Sequence, residues 1–209
     1  MTLKGRDFEK YNKIYTKIGT MFKRGGYEGK YGDNKDLDKK WNRYGRAFEG
    51  RKFFYDVMSL NPVSLVDIGC GYNEFITEAR KYSNFLDKTN SIGVDIACPA
   101  ADVIAPAHNL PFKDKSYDLL VSFDCMEHVP EEEVEAAFKE FARVAKRIYL
   151  QISLTHSETR IDGELLHVCV KPKEWWLSVS KKYFLDTVIR SHNNKNTKWE
   201  NIIICGNDL

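Results

Sequence analysis

Between Val63 and Phe75 the chain reads "VSLVDIGCGYNEF": a short apolar run, an aspartate, Gly-Cys-Gly, then the start of a helical pattern. A buried strand that runs through a glycine turn into a helix leaves few folds open. In an open parallel sheet, ligands bind beyond the carboxyl ends of the strands, where the strand order reverses. Gly69 and Gly71 let the backbone turn tightly and approach a ligand. The dinucleotide fingerprint needs a further Gly or Ala three positions after the second glycine; here that position is Glu74. A carboxylate at the mouth of a helix repels a pyrophosphate, which disfavours a nicotinamide-dependent oxidoreductase. No GK[ST] follows either, so the P-loop is excluded. The turn suits a nucleoside without phosphates, one carrying positive charge.

From Val63 onward strand and helix patterns alternate. Strands are predicted at 63–68, 91–96, 101–104, 117–123, 147–153, 183–190 and 199–206. Helices are predicted at 73–82, with Asn73 as N-cap, at 131–146 and in "KPKEWWLSVSKKY". Pro130 precedes the second helix, and glutamates fill its first turn, as the helix dipole favours. Such alternation predicts an α/β fold, doubly wound around a mostly parallel sheet. The last two strands, joined by the polar "SHNNKNTK", should pair antiparallel. Only six residues lie between Asp95 and Asp102, too few for a helical crossover. Either the third strand is rudimentary or its bounds lie elsewhere.

Residues 1–60 show no strand pattern and are read as a helical N-terminal extension, with 61–209 as the α/β domain. The extension holds 15 Lys+Arg against 8 Asp+Glu and six tyrosines, while residues 61–209 hold 17 against 22. A solvated amphipathic arm explains this asymmetry, and so does an acidic partner. Tyr11, Tyr15 and Ile18 share one helical face, which would let the arm fold over the carboxyl edge of the sheet as a lid. The longest apolar run falls far short of the roughly 20 residues that span a bilayer, so no membrane insertion is expected. "MTLKGRDFEKYNK" lacks the apolar segment of a signal peptide. A cytoplasmic protein is the expectation, and five scattered cysteines without metal spacing fit reduced, buried thiols.

The segment "VDIGCGYNEF" resembles motif I of the class I S-adenosylmethionine-dependent methyltransferases. Other signals follow in that family's order over about residues 63–153. "GVDI" resembles the end of its second strand, "AHNLPF" its adenine-flanking segment, and "YDLLVSFDCMEHVP" the fourth strand and loop of the ubiquinone-biosynthesis-type branch. The resemblance implies a seven-stranded Rossmann-like sheet with an antiparallel last strand, and S-adenosylmethionine as cofactor. It implies that Asp67, Gly69, Cys70 and Gly71 border the methionine moiety and that Asp95, with Ile96, holds the ribose. Pro106 stands where the family's adenine-binding Asp usually stands, so the adenine contact falls to Ala107, His108 and Asn109. Asp124 completes the expected cofactor set.

Glu127 and His128 follow the fourth strand at the expected active-site edge. His128 reads as a base or acceptor contact, or as a histidine that holds the loop. His167 reads as an acceptor-side residue or a packing residue. Trp175 and Trp176, about 100° apart on a helix, read as packing aromatics or as one wall of an acceptor pocket. Glu127 and His128 also match metal-binding positions in some quinone O-methyltransferases; no third ligand is evident, and no metal is predicted. "FDCM" in place of Asn/Asp-Pro-Pro-Tyr/Phe argues against amino-methylation of DNA bases. The expected acceptor is a small molecule, sugar or lipid-type compound taking the methyl on O or N, an anionic one being compatible with the basic arm. The alternatives are an RNA or protein methyltransferase that uses the arm, and a non-catalytic cofactor-binding module.

Overall fold

The computed structural model describes Glu9 and residues 51–157, 160–161, 164–193 and 200–208. The expected lid, with Tyr11, Tyr15 and Ile18, lies outside the described residues. Helix α1 (Arg51–Met58) precedes β1 (Leu65–Ile68), α2 (Glu74–Tyr82), β2 (Ser91–Asp95), β3 (Val103–Ile104) and β4 (Tyr117–Phe123). A single 3-10 turn (Met126–His128) leads to α3 (Glu131–Val144) and β5 (Ala145–Ser153). A small hairpin, β6 (Arg160–Ile161) and β7 (Glu164–Leu165), precedes α4 (Lys173–Ser180), β8 (Phe184–Asn193) and β9 (Glu200–Asp208).

The main sheet has seven strands in the order β3-β2-β1-β4-β5-β9-β8. Strand β1 pairs in parallel with β2 and with β4, Leu65 lying opposite Ser91 on one side and Leu119 on the other. The last strand, β9, runs against both neighbours. This is the doubly wound, mostly parallel sheet that the alternation predicts. The order reverses between β1 and β4, so the glycine turn leaves the sheet at its switch point.

Strands covered on both faces read as near-continuous apolar runs. On one face Phe53, Phe54 and Val57 of α1 and Phe75, Ile76 and Ala79 of α2 cover Leu65, Leu119, Val121 and Phe123. On the other, Val134, Phe138 and Phe141 of α3 and Trp176 of α4 cover Val66, Ile68, Leu120 and Ile148. Residues 51–58, the end of the stretch read as an extension, thus pack into a core shared with α2 and the sheet.

The doubtful third strand is real and two residues long, parallel to β2 with Val94 opposite Val103. No helix is needed between them because Asp95 folds the chain back on itself. Its Oδ1 accepts the amides of Ala97 and Cys98, both at 2.9 Å, and its carbonyl accepts that of Ala105 at 3.0 Å. Asn73 occupies the cap position of α2 without capping it: its φ is 60° and its side chain makes no cap bond. That side chain fills the space Gly93 leaves, where a Cβ would stand 2.0 Å from Asn73 Oδ1. Helix α3 stops two residues early because Ala145 already pairs with Tyr117 across β5–β4. Strand β8 continues to Asn193, into the stretch read as a turn. No helix among the described residues is long and apolar enough to cross a membrane.

Candidate active site

Beyond β1 the backbone turns through two positive φ angles, 77° at Gly69 and 52° at Gly71. The amides of Gly69 and Cys70 donate to Val94 O at 2.8 and 2.9 Å, locking the turn to β2. A Cβ on Gly69 would stand 2.4 Å from Cys125 Sγ, so the turn is pressed against the loop after β4. Cys70 is buried, with its Sγ 2.9 Å from where a Gly93 Cβ would be, and its thiol donates to the Gly71 carbonyl at 3.7 Å. Burial pushes the Cys70 thiol up, and the five thiols are all unpaired.

Two carboxylates lie under this turn. Asp95 is 3% exposed; its Oδ2 accepts the Gly71 amide at 3.1 Å while Oδ1 serves Ala97 and Cys98. It therefore shapes the loop as well as standing at the end of β2, where a ribose contact is expected. Asp67 is 1% exposed, and its Oδ1 has no hydrogen-bond partner. Burial, and after it the charge of Asp95, raises its pKa well above the ordinary value. A buried acid without a cation is costly, and a positively charged ligand group beside it would remove that cost.

The remaining candidates form two groups. Ile96 follows Asp95 and is half-buried. Ala107, His108 and Asn109 sit on the turn after β3, closed by the Asn109 amide on Pro106 O at 3.1 Å. His108 Nδ1 lies 3.1 Å from Glu133 Oε2, which ties this turn to the start of α3. Behind it, Arg143 donates to the carbonyls of Leu110 (3.0 Å) and Phe112 (2.7 Å), while Glu140 accepts the Leu110 amide at 2.9 Å. The segment beside the expected adenine site is thus held by α3. Asp102 serves elsewhere, accepting from the Gly93 amide at 2.9 Å and from Arg80 at 3.0 Å.

The second group gathers beyond β4 and β5. Asp124, exposed and at φ 45°, accepts from Gln151 Nε2 at 2.7 Å. Glu127 is fully buried, and neither of its carboxyl oxygens has a hydrogen-bond partner. Burial, and then the Asp124 charge, raise its pKa well above the ordinary value. His128 Nδ1 lies 2.9 Å from Leu166 O, and His167 Nδ1 lies 2.6 Å from Thr155 O. A carbonyl can only accept, so both Nδ1 atoms carry protons. The two rings meet edge to face with centroids 4.9 Å apart. Trp176 belongs to the core against Phe138, while Trp175 is half-buried under the Lys171 ammonium.

The sequence reading missed the carbonyls of Thr155 and Leu166, which accept from both histidines. A backbone carbonyl has no residue signature, so nothing in the sequence could reveal them. It also missed the Arg143 clamp, which joins residues about 30 positions apart.

Residues 66–147 match the family described as "Methyltransferase domain". The matched stretch is less than half of the chain. A curated relative, norajmaline N-methyltransferase of Rauvolfia serpentina, is 28% identical over 104 residues, which are 44% of this chain and 35% of that protein. The match therefore spans about a third of the curated relative. Among solved structures, a protein of Pyrococcus horikoshii superposes with a TM-score of 0.60 at 18% identity, over 84% of this chain and 100% of that one. Phosphoethanolamine N-methyltransferase 2 of Haemonchus contortus, in complex with S-adenosyl-L-methionine, superposes with a TM-score of 0.59 at 14% identity, over 100% of this chain and 60% of that one. At these identities the superpositions establish the fold alone.

Proposed function

We propose that this chain is a methyltransferase that uses S-adenosylmethionine to methylate an oxygen or nitrogen of a small-molecule, sugar or lipid-type acceptor. The observation that carries the reading is the buried, unpartnered oxygen of Asp67 under a glycine turn at the switch point of the sheet. The donor set fits the cofactor: Asp67 for its cationic methionine end, the open backbone of Gly69–Gly71 for close approach, and Asp95 with Ile96 for the ribose. Ala107, His108 and Asn109 flank the adenine through backbone groups, since Pro106 offers neither carboxylate nor N–H. When bound, the cofactor supplies a methyl group on a sulfonium, which leaves as a neutral thioether.

The chain's own contribution is position. Holding a nucleophile in line with the methyl group is worth up to about 7–11 kcal/mol in the best intramolecular cases. Glu127, His128 and His167 line the acceptor side beyond β4. One of the two imidazoles would receive the acceptor's proton, a contribution of about 10²–10⁴-fold.

The test is release of S-adenosylhomocysteine in the presence of a broad panel of hydroxyl- and amine-bearing acceptors. Turnover with one class supports the reading. Cofactor binding without turnover over the whole panel would favour a non-catalytic module.

A further inference from the structure

We infer that the methyl acceptor is a cationic amine, held by its ammonium group against the carboxyl of Glu127 with Asp124 beside it. The inference rests on the proposed methyl transfer for its use, though not for the binding of the cation. Both acids lie just beyond the end of β4, three positions apart. Glu127 is fully buried, and neither of its carboxyl oxygens has a hydrogen-bond partner. It is aimed at the acceptor side: one of its oxygens and one ring nitrogen from each of His128 and His167 lie within 4.8 Å of one another. Asp124 is exposed, stands at φ 45° and accepts from Gln151 Nε2 at 2.7 Å. Its charge acts directly on Glu127.

This pair of acids adjoins the cofactor turn. Cys125 follows Asp124 in the chain, and its Sγ stands 2.4 Å from where a Gly69 Cβ would be. The charges of Asp95, Glu127 and Asp67 all reach that thiol. On the reading above, Asp67 and Asp95 belong to the cofactor. Glu127 is left over. A buried carboxyl without a cation or a donor is costly, and a cationic group entering from the acceptor side removes that cost.

Chemistry selects the amine. An ionised carboxyl only accepts. A hydroxyl brings one donor and turns its own lone pairs toward the remaining oxygens. A primary ammonium brings three donors and a positive charge, enough for both Glu127 oxygens and one of Asp124. Such charge-assisted bonds are stronger than neutral ones, and an anionic acceptor meets like charge instead. An ammonium has no lone pair for attack, so a proton leaves first, to one of the two imidazoles. The freed nitrogen pair then attacks the methyl carbon. An N–C bond forms, and the S–C bond breaks with its electron pair staying on sulfur. The sulfonium charge passes to the methylated nitrogen, and the imidazole returns its proton to solvent. The carboxyls thus face a cation before and after transfer.

The experiment uses the full chain, with and without S-adenosylhomocysteine, and follows the backbone amides of Val168 and Cys169 by nuclear magnetic resonance. Both amides donate to the Glu127 carbonyl, at 2.9 and 3.0 Å. Methylammonium chloride is titrated in parallel with methanol, sodium formate and sodium chloride. The expected result is a saturable shift with methylammonium alone, with affinity at least tenfold weaker in Glu127→Gln. Asp124→Asn, at an exposed position, should weaken it at least threefold and decides the matter should Glu127→Gln fail to fold. Wild-type protein that binds the nucleoside but responds to methylammonium no more than to sodium chloride would overturn the amine site and leave the methyltransferase reading standing. A methylammonium response without nucleoside binding would keep the site and remove that reading. A response unchanged by the substitutions overturns the proposal, and so does turnover with S-adenosylmethionine that is confined to hydroxyl acceptors.

Discussion

Asp95 and Gly71 are joined by a hydrogen bond, carboxylate Oδ2 to amide, at 3.1 Å. The contact ties the end of β2 to the turn after β1, so the carboxylate expected at the ribose also sets the shape of the methionine end. Asp95→Ala should therefore do more than remove a ribose contact. Hydrogen bonds to a charged acceptor are worth about 1.5–3 kcal/mol each, so S-adenosylhomocysteine affinity should fall by at least tenfold in calorimetry, with a parallel loss of stability. Asp95→Asn, which keeps an acceptor oxygen for Ala97 and Cys98, should lose affinity but less stability. Unchanged affinity in both would remove Asp95 from the binding site.

The Gly69 turn permits a sharper test of close packing. An added Cβ meets Cys125 Sγ at 2.4 Å and Cys125 Cβ at 2.6 Å, and φ there is 77°. Gly69→Ala should destabilise by about 1–3 kcal/mol from backbone strain alone, more with the clash. Cys125→Gly in the same chain should recover the clash but not the strain. Denaturant midpoints of the three variants measure the split.

Asp67 predicts a pH dependence with a definite sign. Its folded pKa is raised above the ordinary 3.8, so between the two values the folded state binds the extra proton. Its effect is favourable below the ordinary value and is lost as pH rises through the folded one. Cofactor-free Asp67→Asn should therefore gain stability over wild type at neutral pH, and the difference should shrink toward pH 4. Denaturation from pH 4 to pH 8 checks this. A flat difference would mean that Asp67 is not the buried proton holder described above.

Arg143 should hold the adenine-side segment through four acceptors: the carbonyls of Leu110 and Phe112 and the carboxylates of Asp114 and Glu140. Arg143→Ala is expected to cost about 1–3 kcal/mol, and Arg143→Lys to restore less than half, because an ammonium lacks the planar fork. Hydrogen bonding to Arg143 is the main cause that holds the Glu140 carboxyl below its ordinary value. That stabilisation is present above the unfolded value and lost as pH falls through the folded one. Acid denaturation should thus begin at higher pH in Arg143→Ala.

Much of the fold was legible because both faces of the sheet are covered, which turns a strand into an apolar run. Strand β4 falls on 117–123 as read, and the glycine turn lies between β1 and α2 as read. Asn73 was misread as a side-chain cap because its left-handed conformation depends on Gly93, twenty residues away and across a strand. The crossover to β3 was unreadable for a similar reason: Asp95 replaces a helix by holding three backbone groups, and no local pattern signals that. At the site, Glu127 and His128 could be placed from their distance to β4. His167 could not be brought to them, since only the return of the chain along β5 and the β6–β7 hairpin sets it beside His128.

The β1 turn is expected to bind a positively charged nucleoside rather than a pyrophosphate. Titration calorimetry of the full chain with S-adenosylmethionine, S-adenosylhomocysteine and NADH tests it most directly. One site per chain is expected for both adenosyl compounds and none for NADH, with S-adenosylmethionine binding weakened at least tenfold in Asp67→Asn. Tight NADH binding, or no heat with either adenosyl compound, would contradict it.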